Sequence, residues 1–589
     1  MSQPAQNEYK YAPLPTYKHI RYLVLEPGQG ASPLKCQLRI APLAAAPPFE
    51  AISYVWGAPE TPFPISCDDQ RMRITKNLHE ALLQVRHPTA LRNLWADAIC
   101  INQADLAERG AQVALMAKLY ATAKRVLVCL GTNPDYLEEA ESVEGLLRDT
   151  DEMIAAKLDG LTIDWDTFPE TEADNPLLTD ERWGAVRALL DQPWFERGWV
   201  VQEVWMGSDV RVLWGKAEFD WLSVVRAYAW MRARASEVYA RHAMTLLAIH
   251  LEQYAIRHPS EAMPITTQKP EQYFPNMMDH ARGLKLSDPR DRIYAFMSLA
   301  GPGQTPTTLK PDYTKDHLEV YYEFAAEYIA TQQDLGLFLV VDHDETTLSD
   351  RYPSWVPRWD VRVTLENVRH LPRPLPGNFL ASVHGRALKV RGTIIGTVRF
   401  VSSDIHWVRS GISDVARILS GLAETGIAIP YEEVPPVLAF VTTLVTGLQP
   451  RDGRMWKAHR AAYILRILEA NIPGMAAPDD RFEREADGGD GGIFHSWVRA
   501  WGHTRRLIQT EQGYFGLAPG VVQTDDVICA IAGATALVCL RRAGDGTYKF
   551  VGPIYVTGER RMADGDPVCL GAEDTPFWGE WSQEEIEIR

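Results

Sequence analysis

No apolar run in this sequence approaches the roughly 18 residues that a membrane-spanning helix requires, and MSQPAQNEYKYAPLP lacks the basic start and apolar stretch of a secretory signal. No Cys-x-x-Cys spacing occurs among the seven cysteines, an odd number that fits reduced thiols in an intracellular compartment. These absences make a soluble cytosolic protein the expectation, with no membrane association. A Gly-x-x-x-x-Gly-Lys-Ser/Thr loop, a Gly-x-Ser-x-Gly elbow and a His-Glu-x-x-His motif are also missing. Gly28-Gln29-Gly30 lacks the remaining glycine of a dinucleotide fingerprint. Phosphate-loop, serine-hydrolase and zinc-protease chemistries are thereby excluded. Asp342-His343-Asp344-Glu345 is rich in metal-ligand types, but adjacent side chains do not converge, so the expectation is a solvated loop and no metal.

What is present is ordinary globular composition, 46% hydrophobic and 23% charged, over 589 residues. That length predicts two to four packed units. The net charge of −17 disfavours nucleic acid as a partner, because an acidic chain gains little from releasing counterions at a phosphate backbone.

IRYLVLEP and LKCQLRIAPL alternate as an antiparallel opening pair, FEAISYVWG reads as a strand stopped by Gly57, and PISCDDQRMRIT as a hairpin. NLHEALLQVR places Leu78, Ala81, Leu82 and Val85 on one helical face, with Asn77 suited to cap it. LWADAIC, ERGAQVALMAKLYATA and RVLVCLG continue as strand, helix and strand, a succession that implies a parallel α/β sheet. An acidic, helix-biased insertion follows at about 132–190, and the α/β unit closes near Trp221. Residues 222–368 read as mainly helical, and 369–589 as an α+β region with a β-rich end. Asp288-Pro289-Arg290-Asp291 has the N-cap, N1 and N3 chemistry of a helix running to Gly301, while ADGGDGG from Ala486 reads as a flexible loop.

In order, AISYVWG, LWADAICINQ, QVALMAKLYATAKRVLVCLG and RGWVVQEVW resemble the successive blocks of the fungal heterokaryon-incompatibility (HET) domain. SDPRDRIYAF, PSWVPRWD and the stretch from TEQGYFGLAP to YVTG resemble the region that often follows it. The resemblance implies nonself recognition and programmed cell death, with a homo-oligomer on activation or an incompatible allele product as partner. A non-enzymatic recognition module and an accessory role in a metabolic gene cluster are the alternatives. HET domains are in turn similar to TIR domains, which have a flavodoxin-like parallel sheet and in some branches cleave NAD. NAD would then be a substrate, with no cofactor implied.

That similarity makes INQADLAERG a mobile loop and gives Glu203, four residues after Trp199, the position of the catalytic glutamate. A fixed carboxylate suits glycosidic cleavage, because positive charge develops on the ribose, and an indole can stack on the departing ring. About seventy residues separate RVLVCLG from WVVQE, a longer stretch than a compact TIR domain carries. Around that centre, Asp97 can bond ribose or cap a turn, and Asn102 and Gln103 can read an amide edge or form a turn. Tyr54 and Trp56 can line a pocket or fill core, and Arg197 can meet a phosphate or pair with Glu196 or another nearby acid.

Overall fold

The computed structural model describes residues 8–589 apart from 31, 59–62, 159–162, 164–167, 170, 173, 236–237, 239–246, 258–272, 300–307, 334, 350, 362–380, 403–410, 448–452, 471, 473–479, 503, 562–565 and 571–582. The chain forms two compact units, Met1–Val320 and Tyr321–Arg589. Among the described residues, no helix is long and apolar enough to cross a membrane.

The first unit is built on a nine-stranded sheet. Its strands are β1 (His19–Leu25), β2 (Lys35–Pro42), β3 (Glu50–Tyr54), β4 (Phe63–Cys67), β5 (Gln70–Ile74), β6 (Arg92–Trp95), β7 (Arg125–Cys129), β8 (Val210–Trp214) and β9 (Ala217–Asp220), in the order β5-β4-β2-β1-β6-β3-β7-β8-β9. The sheet is mixed: the expected antiparallel opening pair and hairpin lie beside a parallel core. β6, β3, β7 and β8 run parallel, whereas the β1–β2, β4–β5 and β8–β9 pairs are joined by short connections that only antiparallel neighbours allow. Taken in chain order, the four parallel strands lie second, first, third, fourth. The order therefore reverses between β3 and β7, and such a switch point opens a crevice at the carboxyl ends of the strands.

Helices cover this sheet as the apolar spacing requires. In α1 (Lys76–Val85), Leu78, Ala81, Leu82 and Val85 are the buried face. Thr75, not Asn77, caps it, accepting from the Leu78 N–H at 3.4 Å, which leaves Asn77 inside the first turn. LWADAIC is only half strand. β6 stops at Trp95, and Asp97–Cys100 form the single turn α2, where the Asp97 carboxylate accepts the Ala98 N–H at 2.7 Å. An aspartate bonding its neighbouring backbone competes with the ladder and ends the strand.

INQADLAERG divides likewise: Asp105 caps α3 (Leu106–Thr122), so half the stretch is helix. The remainder is tied down, because Glu108 accepts the Asn102 N–H at 2.7 Å and is itself held by buried Arg21. The acidic insertion supplies α4 (Leu137–Leu158) and α5 (Trp183–Leu190), and the chain re-enters the sheet through α6 (Trp199–Met206). Beyond β9 the described residues are mainly helical, including α7 (Trp221–Arg234), Ala248–Arg257 and Tyr273–His280.

In the second unit a long strand β11 (Ala387–Val401) pairs with β10 (Ser382–His384) and continues through β12 (Arg505–Thr510), β13 (Phe515–Pro519), β16 (Tyr548–Arg561), β15 (Leu537–Arg542) and β14 (Val527–Ile531), which returns to β11. These antiparallel pairings close a six-stranded ring. β17 (Pro567–Cys569) and β18 (Glu584–Ile588) add to β16 and to β11. Closure removes the open edges of the ring strands. Helices Ile412–Glu424, Pro436–Leu444 and Gly453–Leu468 share one apolar core with it, in which Phe440, Ile464 and Leu517 are fully buried.

Two expected loops are structural here. Asp342 and His343 are buried, not solvated, with the imidazole bonded to the Ser354 carbonyl at 2.8 Å and to Thr347 Oγ1 at 3.2 Å. ADGGDGG is a tight connection: a Cβ on Gly489 would lie 2.2 Å from the Ala458 carbonyl oxygen, and Gly491 already begins a helix. Among the described residues, no three His, Cys, Asp or Glu side chains could share a metal ion.

Candidate active site at the carboxyl ends of the parallel strands

Within the buried run Ala51–Tyr54, strand β3 carries one small polar side chain inward, Ser53, which is 1% exposed. Its hydroxyl accepts the Trp194 indole N–H at 2.8 Å and donates to Glu203 Oε2. Glu203 lies in α6, whose residues Val200 to Trp205 are all buried, and is itself 2% exposed. Loss of hydration pushes its carboxyl from 4.5 up to about 7, the nearby Asp97 charge adds to this, and Arg197 and Ser53 oppose it. The Arg197 guanidinium stands 3.6 Å from Glu203 Oε1 and also donates to the Tyr54 carbonyl.

A second acid approaches the same guanidinium. Burial raises the Asp97 carboxyl above its ordinary range while Arg197 lowers it, and Asp97 accepts from Trp56 Nε1 at 2.8 Å and from the Tyr54 hydroxyl at 3.4 Å. Burial holds the Tyr54 phenol protonated. The structure thus gathers Tyr54, Trp56, Asp97, Arg197 and Glu203 at the carboxyl ends of β3 and β6. Arg197 serves neither as a partner of Glu196, which pairs with Lys285 at 2.5 Å, nor as an exposed cation.

Gln103 joins from outside, donating to the Asp97 carbonyl at 3.1 Å, while Asn102 accepts the Ala104 N–H at 3.3 Å and shapes its own turn. Trp199 points elsewhere. Its indole donates to Asp291 Oδ2 at 3.1 Å, so it does not stand over the Glu203 carboxyl. The short helix there spans only Asp291–Tyr294, and the Asp291 carboxylate is engaged across the chain, with Trp199 and with the Tyr313 hydroxyl at 2.6 Å. Gly301, its expected end, lies outside the described residues.

Beside this cluster, at the switch point between β3 and β7, is a cleft of about 140 Å³ lined by Tyr54, Asn77, Glu80, Gly131, Gln192 and Trp194. Trp194 stands between the cleft and the Ser53–Glu203 bond. A carboxyl that titrates near neutrality can give or take a proton at cellular pH, which is what general acid–base chemistry requires. Ser53 and Trp194 were not among the expected site residues. The one signal for Ser53 is that it stands as a small hydroxyl within the run Ala51–Tyr54.

Residues 49–203, which begin just before β3 and end on Glu203, match the family Heterokaryon incompatibility protein (HET). Residues 480–577, which contain β12 to β17, match the Het-6 beta-barrel domain. The chain thus carries one segment that matches the HET family and another that matches the Het-6 barrel domain. It is similar to Heterokaryon incompatibility protein 6, OR allele, of Neurospora crassa, with 23% identity covering 93% of this chain and 94% of that protein. No solved structure matches it.

Proposed function

We propose that this chain acts in heterokaryon incompatibility, as the name of its Neurospora relative states for that protein, and that its HET domain hydrolyses NAD at the nicotinamide glycosidic bond. The observation that carries the chemistry is Glu203, a buried carboxyl held near neutrality beside the switch-point cleft. The second-first-third-fourth order of the parallel strands is also that of flavodoxin-like sheets and supports a TIR-like reading. In this reaction the C1′–N bond breaks, nicotinamide leaves with the bonding pair, water adds at C1′, and a proton is released. Ionised Glu203 stabilises the cationic ribose, and Asp97 and Tyr54 hold its hydroxyls. The protein acts in the cytosol, and self-assembly on activation opens the site.

A second reading is a non-enzymatic recognition module. It is favoured by the cleft volume of about 140 Å³, below the roughly 300–1,000 Å³ of ligand pockets. Nicotinamide release by purified, oligomerised protein distinguishes the two. Glu203→Gln should reduce it by about 10²–10⁴-fold, and equal release from both proteins would overturn the enzymatic reading.

A further inference from the structure

Helix α6 carries Glu203, and the HET match ends on that residue. Besides β3, which bonds Glu203 through Ser53, α6 is held by a segment about ninety residues downstream, outside the HET match. At the entry to the helix, Lys285 forms a parallel bridge with Arg197, the Gly198 N–H donates to the Lys285 carbonyl at 3.0 Å, and the Lys285 N–H donates to the Glu196 carbonyl. In the first turn, Trp199 donates to Asp291. One residue before Glu203, Gln202 donates to Ser298 Oγ at 2.5 Å. Three successive attachments thus reach α6 from residues 285–298.

The strap is itself anchored on α3. Arg109 lies 4.0 Å from the centroid of the Tyr313 ring and approaches Asp288 at 3.7 Å and Asp291 at 3.9 Å. Asp291 is 4% exposed, with one carboxylate oxygen taken by Tyr313 and the other by Trp199. Gly110 packs so closely on this segment that a Cβ there would stand 2.9 Å from the Pro311 carbonyl oxygen. Arg197 is the residue through which the strap reaches the chemistry, since its backbone pairs with Lys285 and its guanidinium faces Glu203.

We infer that residues 284–299 and 308–313 form a strap that sets the position of Glu203 against Ser53 and Arg197, with Asp291 as the positioning residue. The inference rests on the reading of Glu203 as the reacting group. Asp291 touches no group of the site; it acts by holding the first turn of α6. A merely space-filling Asp291 would have its oxygens on its own helix, whereas here they join α6 to the Tyr313 segment.

Two substitutions in the full-length protein test this independently. Asp291→Ala removes both attachments. Asp291→Asn keeps an oxygen for Trp199, and the Tyr313 hydroxyl can reverse to accept from the amide, so it should restore near-normal behaviour. Gly198 has φ −68°, which any residue adopts, but a Cβ there would stand 2.6 Å from Leu286, so Gly198→Ala displaces the strap by contact alone. Amide hydrogen exchange over residues 198–206 should rise at least tenfold in Asp291→Ala and Gly198→Ala, with β3 and β7 unchanged.

In the nicotinamide assay both should lower kcat by about 10–100-fold at a KM within twofold, the signature of a misplaced group. Loss of Arg197 from Glu203 should also move the pH midpoint of kcat upward. Exchange equal to wild type in both variants, or Asp291→Asn as defective as Asp291→Ala, would overturn the strap. Raised exchange together with no nicotinamide release from any version would instead support the strap and sink the reading of Glu203 as catalytic.

Discussion

Each of the two units buries an arginine beside an acid, and the two pairs differ. In the barrel unit, Arg460 meets Asp566 at 2.6 Å with side-chain exposures of 3% and 0%. In the sheet unit, Arg197 stays 3.6 Å from Glu203 and gives its shorter bond to the Tyr54 carbonyl. The first pair answers its desolvation by direct contact, so it fastens structure. The second leaves the carboxylate under-compensated, and its proton affinity rises to about 7. In the sheet unit, burial and the neighbouring Asp97 charge outweigh the more distant Arg197, so the two buried acids answer their desolvation differently.

The comparison can be broken by removing one member of each pair. Arg460→Ala takes the guanidinium from the buried Asp566 carboxylate and should cost about 3–5 kcal/mol of the barrel unit's stability, read as a lowered thermal transition. Unchanged melting would show that this pair fastens nothing. Glu203→Gln should act in the opposite sense. Between 4.5 and about 7 the folded protein binds the Glu203 proton more tightly than the unfolded chain does, so this group's contribution is fully present below pH 4.5 and is lost as pH rises to 7. The glutamine variant should lack that loss and gain roughly 3 kcal/mol relative to wild type across the window, measured by denaturant titration at successive pH values. A parallel pH dependence in both proteins would place the neutral-range proton elsewhere. The smallest effect is expected from Tyr54→Phe, whose bond to Asp97 is 3.4 Å long, and the change in stability should stay below about 1 kcal/mol. A larger loss would mean that Asp97 depends on the phenol.

Local chemistry was legible wherever one segment decides its own structure. The apolar face of α1, the turn at Gly131 and the strand β3 follow from spacing and residue type. Glu203 was reachable because its neighbours carry a family pattern, and the catalytic assignment itself remains a proposal. What spacing could not reveal is what the chain brings together from afar. Trp199 and Glu203 share a helix, yet Asp291, 92 residues away, takes the indole. Ser53 and Trp194 meet across 141 residues. Asp97 ended its strand early by bonding its own backbone, a competition that strand propensity does not encode.

The closing strand of the barrel has a consequence for how the protein is made. β11 leaves the ribosome about a hundred residues ahead of β12, and its far end must wait still longer, for Leu388 pairs with Ile588. Such distant pairings are slow to form because loop-closure entropy comes before any contact. Throughout that interval the nascent chain displays a fifteen-residue strand paired only with the three residues of β10, a sticky edge that chaperones must shield until synthesis has supplied the rest of the ring.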